Sequence, residues 1–136
     1  MEPFLVAGIT AGLAHLILNQ AEDQARVLNA DLVRTGRPGS GTTLKIKNSI
    51  DKILAEHRYA KIGKTVRPAK RLQATDYRKY HTMYLVYETT SDDYICHYES
   101  YFINKYRDQL DNKHENSTGR VADVKGKNYL YVVVAG

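Results

Sequence analysis

Apolar positions change their spacing several times along the 136-residue chain, and each change marks a different element. Phe4 to Leu18 is almost continuously apolar. Apolar residues then recur at Val27, Leu28, Leu32 and Val33 with helical spacing. Gly36 is a helix stop and Pro38 lies just beyond it. This pattern predicts one long helix, or two stacked ones, over residues 4–34. Ile50, Ile53 and Leu54 predict a further helix, capped by Asn48 or Ser49 and ending near His57. Tyr59 to Ile62 reads as a short strand closed by Gly63. Pro68 suits the first turn of a helix that carries Arg71 and Leu72. Met83 to Tyr87 is rich in aromatic and branched residues and predicts a strand. A helix capped by Asp92 or Asp93 should run to about Leu110, followed by a polar loop over 111–120. Tyr129 to Val134 is apolar at every second position and between, as in a strand covered on both faces. The expected fold is an α/β domain over residues 42–136, a small central sheet flanked by helices. An N-terminal helical segment and a Gly/Pro linker over residues 1–41 precede it.

The first apolar run falls short of the roughly 20 residues that span a bilayer core. Glu2 precedes it, whereas a secretory leader opens with basic residues. Gly8 and Gly12 have the spacing that lets two helices approach closely. A buried or partner-facing helix is the favoured reading, and in its partner-facing form residues 4–34 would be the interface of a homo-oligomer. A short membrane anchor is the alternative. A lone Cys96 excludes a disulfide framework and a Cys-rich zinc site, and suits a reducing, cytoplasmic setting. Gly36 to Thr43 resembles a phosphate-binding loop, but Thr42 stands where that loop needs its Lys. With a helix expected before it, this stretch reads as a linker.

Charge adds a partner to this picture. Residues 1–43 carry three basic and four acidic side chains, whereas residues 44–81 carry eleven basic and three acidic. Tyrosines are interleaved with that excess, eleven in the whole chain against no Trp. A basic, tyrosine-rich stretch fits a surface that faces a polyanion.

One carboxylate breaks the pattern. Ile95, Phe102, Tyr106 and Leu110 define the apolar stripe of their helix. Glu99 falls at about 40° from Ile95 on the helical wheel, between Tyr106 at about 20° and Leu110 at about 60°. It therefore points inward, where a carboxylate needs a cation, a metal or hydrogen bonds. Pairing with an Arg or a Tyr hydroxyl is one solution, and metal ligation is the other.

Lys61-Ile62-Gly63-Lys64-Thr65, Arg71 eight residues after Gly63, the 83–87 strand, Glu99 within Tyr98-Glu-Ser-Tyr-Phe-Ile103, and Asn112 and Asn116 follow one another in a recognisable order. Over residues 59–116 the chain resembles the core of the GIY-YIG nucleases. That resemblance implies a metal-dependent DNA endonuclease that hydrolyses phosphodiester bonds. It implies Glu99 holding one divalent ion, Mg²⁺, on the scissile phosphate. Arg71 would neutralise a non-bridging oxygen. Lys64, Arg67 and Lys70 would contact DNA, and Asn112 or Asn116 would brace the site. His81 would assist proton transfer. Lys61 stands in the place of the second motif's Tyr, and Tyr59 lies two residues before it on the same side of the strand. No Gly-Ile-Tyr strand precedes Lys61. Either Leu44 to Ile46 forms a displaced first strand, or the C-terminal strand lies beside residues 59–62 and supplies Tyr131. The rival readings are a nucleic-acid-binding module without catalysis, and an assembly protein that uses its N-terminal helix.

Overall fold

The computed structural model describes residues 25–34, 36–112 and 126–136. The apolar run 4–18 and Asn116 lie outside them. The elements are β1 (Arg26–Val33), α1 (Ser40–Glu56), β2 (Tyr59–Thr65), α2 (Pro68–Leu72), β3 (Thr82–Thr89), α3 (Asp92–Lys105) and β4 (Asn128–Ala135). Two 3₁₀ turns, Thr75–Tyr77 and Arg107–Gln109, follow α2 and α3. The four strands form one mixed sheet in the order β1-β3-β4-β2. β1 runs parallel to β3, and β4 runs antiparallel to both β3 and β2. The domain is α/β, with a small sheet flanked by helices as its alternating pattern requires.

Two expectations are corrected here. Residues 26–33 are a strand rather than the end of a helix. Val27, Leu28, Leu32 and Val33 satisfy a helical spacing, yet the backbone of residues 26–29 pairs with residues 82–85 of β3. Asp31 adopts φ 49°, and three residues, Ala30 to Leu32, stand against the single Val86. That bulge breaks the period-2 alternation a strand would otherwise show. The sheet thus begins well before residue 42. The helix expected to start at Asn48 or Ser49 instead starts at Ser40 and includes Leu44 to Ile46, so those residues are not a displaced strand.

The core has two sides. Ile46, Ile50 and Ile53 of α1 join Ile95, Tyr98 and Phe102 of α3 over Ile62, Leu130, Val132 and Val134. On the opposite face, Leu72 of α2 and Tyr77 and Tyr80 pack over Met83, Leu85, Tyr131 and Val133. β4 is buried along nearly its whole length, which accounts for its unbroken apolar run. Against it, β3 carries a bulge at Val86, between the pairs Leu85–Tyr131 and Tyr87–Leu130. The bulge turns both Val86 and Tyr87 toward the α1/α3 side. Ser91 caps α3, its hydroxyl accepting from the Tyr94 N–H at 3.1 Å. The acidic pair Asp92 and Asp93 occupies the first turn rather than the cap, where it suits the helix dipole.

The outer edge of β2 is closed by residues after α3. The Asp111 N–H donates to the Ala60 carbonyl at 2.7 Å. The Asn112 amide accepts from the Ile62 N–H at 3.0 Å and donates to the Ile62 carbonyl at 2.9 Å. Asn112 therefore acts as a short strand substitute that satisfies an edge. Among the described residues, no helix is long and apolar enough to cross a membrane.

Ile50 is fully buried whereas Leu44, on the same helix, is 55% exposed. Ile50→Ala should cost about 2–5 kcal/mol in denaturant unfolding, and Leu44→Ala should stay within about 0.5 kcal/mol of wild type.

Candidate nucleic-acid interface

Along β2, side chains alternate between the two sides of the sheet. Ala60 and Ile62 face the α1/α3 core, and Lys64 reaches α3. Tyr59, Lys61, Gly63 and Thr65 face the other side, in register with Ala135, Val133, Tyr131 and Tyr129 of β4. The C-terminal strand therefore does lie beside residues 59–65 and sets Tyr131 opposite Gly63. A Cβ at position 63 would collide with the Tyr131 phenol, so only glycine leaves room for that ring.

The 3₁₀ turn carries Tyr77 over the same spot, where its hydroxyl hydrogen-bonds the Tyr131 hydroxyl. The two rings meet edge to face, at 6.0 Å between centroids. Arg71 lies against this pair, its guanidinium carbon 4.0 Å from the Tyr77 ring centroid. It donates to both oxygens of Asp76, each at 3.2 Å. The Lys61 ammonium stands 5.2 Å from the same Tyr77 ring. Two cations thus converge on one buried tyrosine.

Burial pushes the Tyr131 phenol well above the ordinary tyrosine value, and the neighbouring Tyr77 adds to it. Burial raises the Tyr77 phenol too. Both are therefore protonated hydroxyls at neutral pH, able to donate hydrogen bonds and poorly suited to act as bases. Burial alone would lower the Arg71 pKa, but Tyr131, Tyr77 and Asp76 outweigh it and keep the guanidinium charged. The Asp76 carboxyl is lowered: its slight burial works the other way, and Arg71 prevails.

Glu99 is buried, as the helical period requires. Its partner is neither an Arg nor a Tyr: Oε1 accepts from Lys64 Nζ at 2.7 Å, with the side chains only 10% and 9% exposed. Glu99 sits on the helix packed against the α1/α3 side, and Arg71 and Tyr131 face the opposite side of the sheet. The sheet thus separates the carboxylate from the arginine and the tyrosine with which it was expected to act. The charge of Glu99 is already balanced by an ammonium, and among the described residues no group of three or more His, Cys, Asp or Glu side chains could hold a metal ion. These residues do not fit Mg²⁺ at Glu99.

The other expected residues divide between two regions. Arg67 and Lys70 are exposed beside Arg71. Lys64 belongs to the Glu99 pair instead of the surface. Tyr59 is 43% exposed at the start of β2. Asn112 braces the backbone of β2 and not a bound group. His81 lies at the entry to β3, four residues before the Leu85 that pairs with Tyr131, roughly 13 Å along the strand. There its Nδ1 is 2.8 Å from the Thr82 hydroxyl and its ring is 5.8 Å from His57. Tyr77 and Asp76 were not foreseen. Their signal is the local density of Tyr among basic residues, but no hydrophobic period marks a three-residue 3₁₀ turn.

The strand, glycine-bearing loop and helix around Gly36 also differ from expectation, since a strand precedes the loop. A cavity of about 370 Å³ lies there, lined by Asp31, Arg34, Gly36, Thr42 and Lys45 among others. No protein-family model, curated protein or solved structure matches the chain.

Glu99→Ala removes the carboxylate that faces a nearly buried ammonium and should cost about 3–5 kcal/mol in urea unfolding. The double variant Lys64→Met/Glu99→Leu should recover most of that loss, because it removes both desolvated charges together. His57 gives a second check. Burial, and then the nearby His81, lower its pKa below the ordinary 6.5. The folded state therefore prefers neutral His57, and its contribution is present above pH 6.5 and lost as pH falls through the depressed folded value. His57→Gln should flatten the decline of thermal stability between about pH 7 and 5.

Proposed function

We propose that the chain binds nucleic acid through the face built by β2, α2 and the turn that carries Tyr77, with Arg71 engaging a phosphate. The observation that carries this reading is the concentration of charge. Residues 58–80 hold eight basic side chains and one acidic, Asp76. Lys64 of these is turned to Glu99; Lys61 and Arg71 converge on Tyr77, and Arg67 and Lys70 stand exposed beside them. The Arg71–Asp76 pair is a surface pair, 34% and 60% exposed. Such pairs are weak, so a phosphate that fits the guanidinium fork can displace the carboxylate. The buried phenols behind Arg71 hold the fork in place.

Hydrolysis of the phosphodiester is the second reading. The convergence of Gly63, Arg71 and Tyr131 on one point favours it, and it matches the resemblance to GIY-YIG nucleases. The pairing of Glu99 with Lys64 on the opposite side weighs against it. Nucleic-acid binding without cleavage is therefore the preferred reading.

Binding of a labelled DNA duplex should weaken on the order of 100-fold between about 50 and 200 mM salt. Arg71→Ala should weaken it further and lower the salt slope by about one. Binding that ignores salt and survives Arg71→Ala would refute the proposal. A plasmid-nicking assay with Mg²⁺ separates the two readings. Nicking by the wild type that disappears in Glu99→Gln would restore the endonuclease.

A further inference from the structure

Six tyrosines of this domain, Tyr77, Tyr80, Tyr87, Tyr98, Tyr106 and Tyr131, are buried. Tyr59 differs: it opens β2, lies 43% exposed, and shares the side of the sheet with Lys61 and Gly63. Cations flank its ring. The Arg58 guanidinium carbon is 5.5 Å from the ring centroid, and the Lys79 ammonium is 5.3 Å from it. Lys79 is held there by Asp111 at 2.9 Å and by the Tyr80 ring at 5.2 Å. Tyr80 in turn donates to Asp111 at 2.8 Å and meets Tyr77 edge to face. Beside the ring lies Gly136, where a side chain would come within 3.1 Å of Arg58 and 3.5 Å of Tyr59.

An exposed ring between two cations suits an unpaired base. Every base presents a π-face that can stack on a phenol, while the cations take the phosphates on either side. In a duplex those faces are already stacked on neighbouring base pairs. Duplex DNA is read instead through its grooves by a protruding helix or ribbon. On this side of the sheet the only described α-helix is the five-residue α2, and Leu72 packs it into the core. From Tyr59 the strand leads through Lys61 toward Gly63, where Arg71 and Tyr131 meet. Successive residues on that side are about 6.6 Å apart, a continuous track for a single backbone.

We infer that the nucleic acid taken on this face is single-stranded, with Tyr59 stacking on a base and Arg58 and Lys79 contacting the flanking phosphates. This rests on the nucleic-acid reading above and narrows it to one substrate class.

Fluorescence anisotropy with the full chain tests it, using a labelled oligo-dT, an oligo-U of equal length and a duplex of equal length at one salt concentration. The single strands should bind more tightly than the duplex, and the ratio between oligo-dT and oligo-U distinguishes DNA from RNA. Tyr59→Ala should weaken single-strand binding on the order of tenfold and leave duplex binding within about twofold. Tyr59→Phe should retain wild-type affinity, since it keeps the ring. Thermal melts should show both variants folded, as Tyr59 is half exposed. If Tyr59→Ala weakens both forms equally, or neither, the inference is overturned while salt-sensitive binding keeps the broader reading standing. If the wild type binds neither form, both are overturned.

Discussion

β4 reaches the sheet last in chain order yet lies inside it, hydrogen-bonded antiparallel to β2 on one side and β3 on the other. Without it those two strands have no common neighbour. Its backbone partners lie far away in sequence, so the pairing carries a substantial closure cost that apolar burial must offset. Leu130, Val132 and Val134 bury toward α1 and α3, while Tyr131, Val133 and Ala135 bury toward α2 and its turn. The two halves of the core exist because this one strand is apolar on both faces.

The same strand assembles the candidate site. Its register with β2 sets Tyr131 against Gly63, and the Tyr131 hydroxyl holds Tyr77 and Arg71. A one-residue slip would send Tyr131 to the α3 side and leave Arg71 without its support. The surface chemistry thus depends on strand register more than on any local motif. The sheet also acts as a divider. Lys64 and Glu99 settle their charges on one side, and the remaining cations of β2 and α2 gather on the other. Alternation along β2 accounts for this division: Lys61 and Lys64 are three residues apart and therefore point oppositely.

The bulge at Val86 has a related effect. It changes which residues of β3 face which core, so that Tyr87 packs edge to face on Tyr98 and donates to the Gly36 carbonyl at 2.6 Å. That bond ties the loop before α1 to the sheet. Irregularities in β1 and β3 fall at the same level, where Ala30 to Leu32 stand against Val86.

Strong local patterns were legible without a fold. The strands at 59–62, 83–87 and 129–134, the short helix at Pro68, and the inward position of Glu99 follow from side-chain period, turn residues and propensity. So did the basic, tyrosine-rich character of residues 44–81, because charge and aromatic density are properties of composition. The strand at 26–33 was not legible, since its bulge at Asp31 makes its apolar spacing imitate a helix. The start of α1 at Ser40 was hidden by the glycines and proline before it, which read as a linker. The inward direction of Glu99 is a matter of helical geometry and needs one segment only. Which cation meets it, and on which side of the sheet Arg71 and Tyr131 meet, depends on contacts between residues 35 and 60 positions apart. Such contacts are set by strand register and by the packing of α3 and α2 on opposite faces, which tertiary structure alone decides.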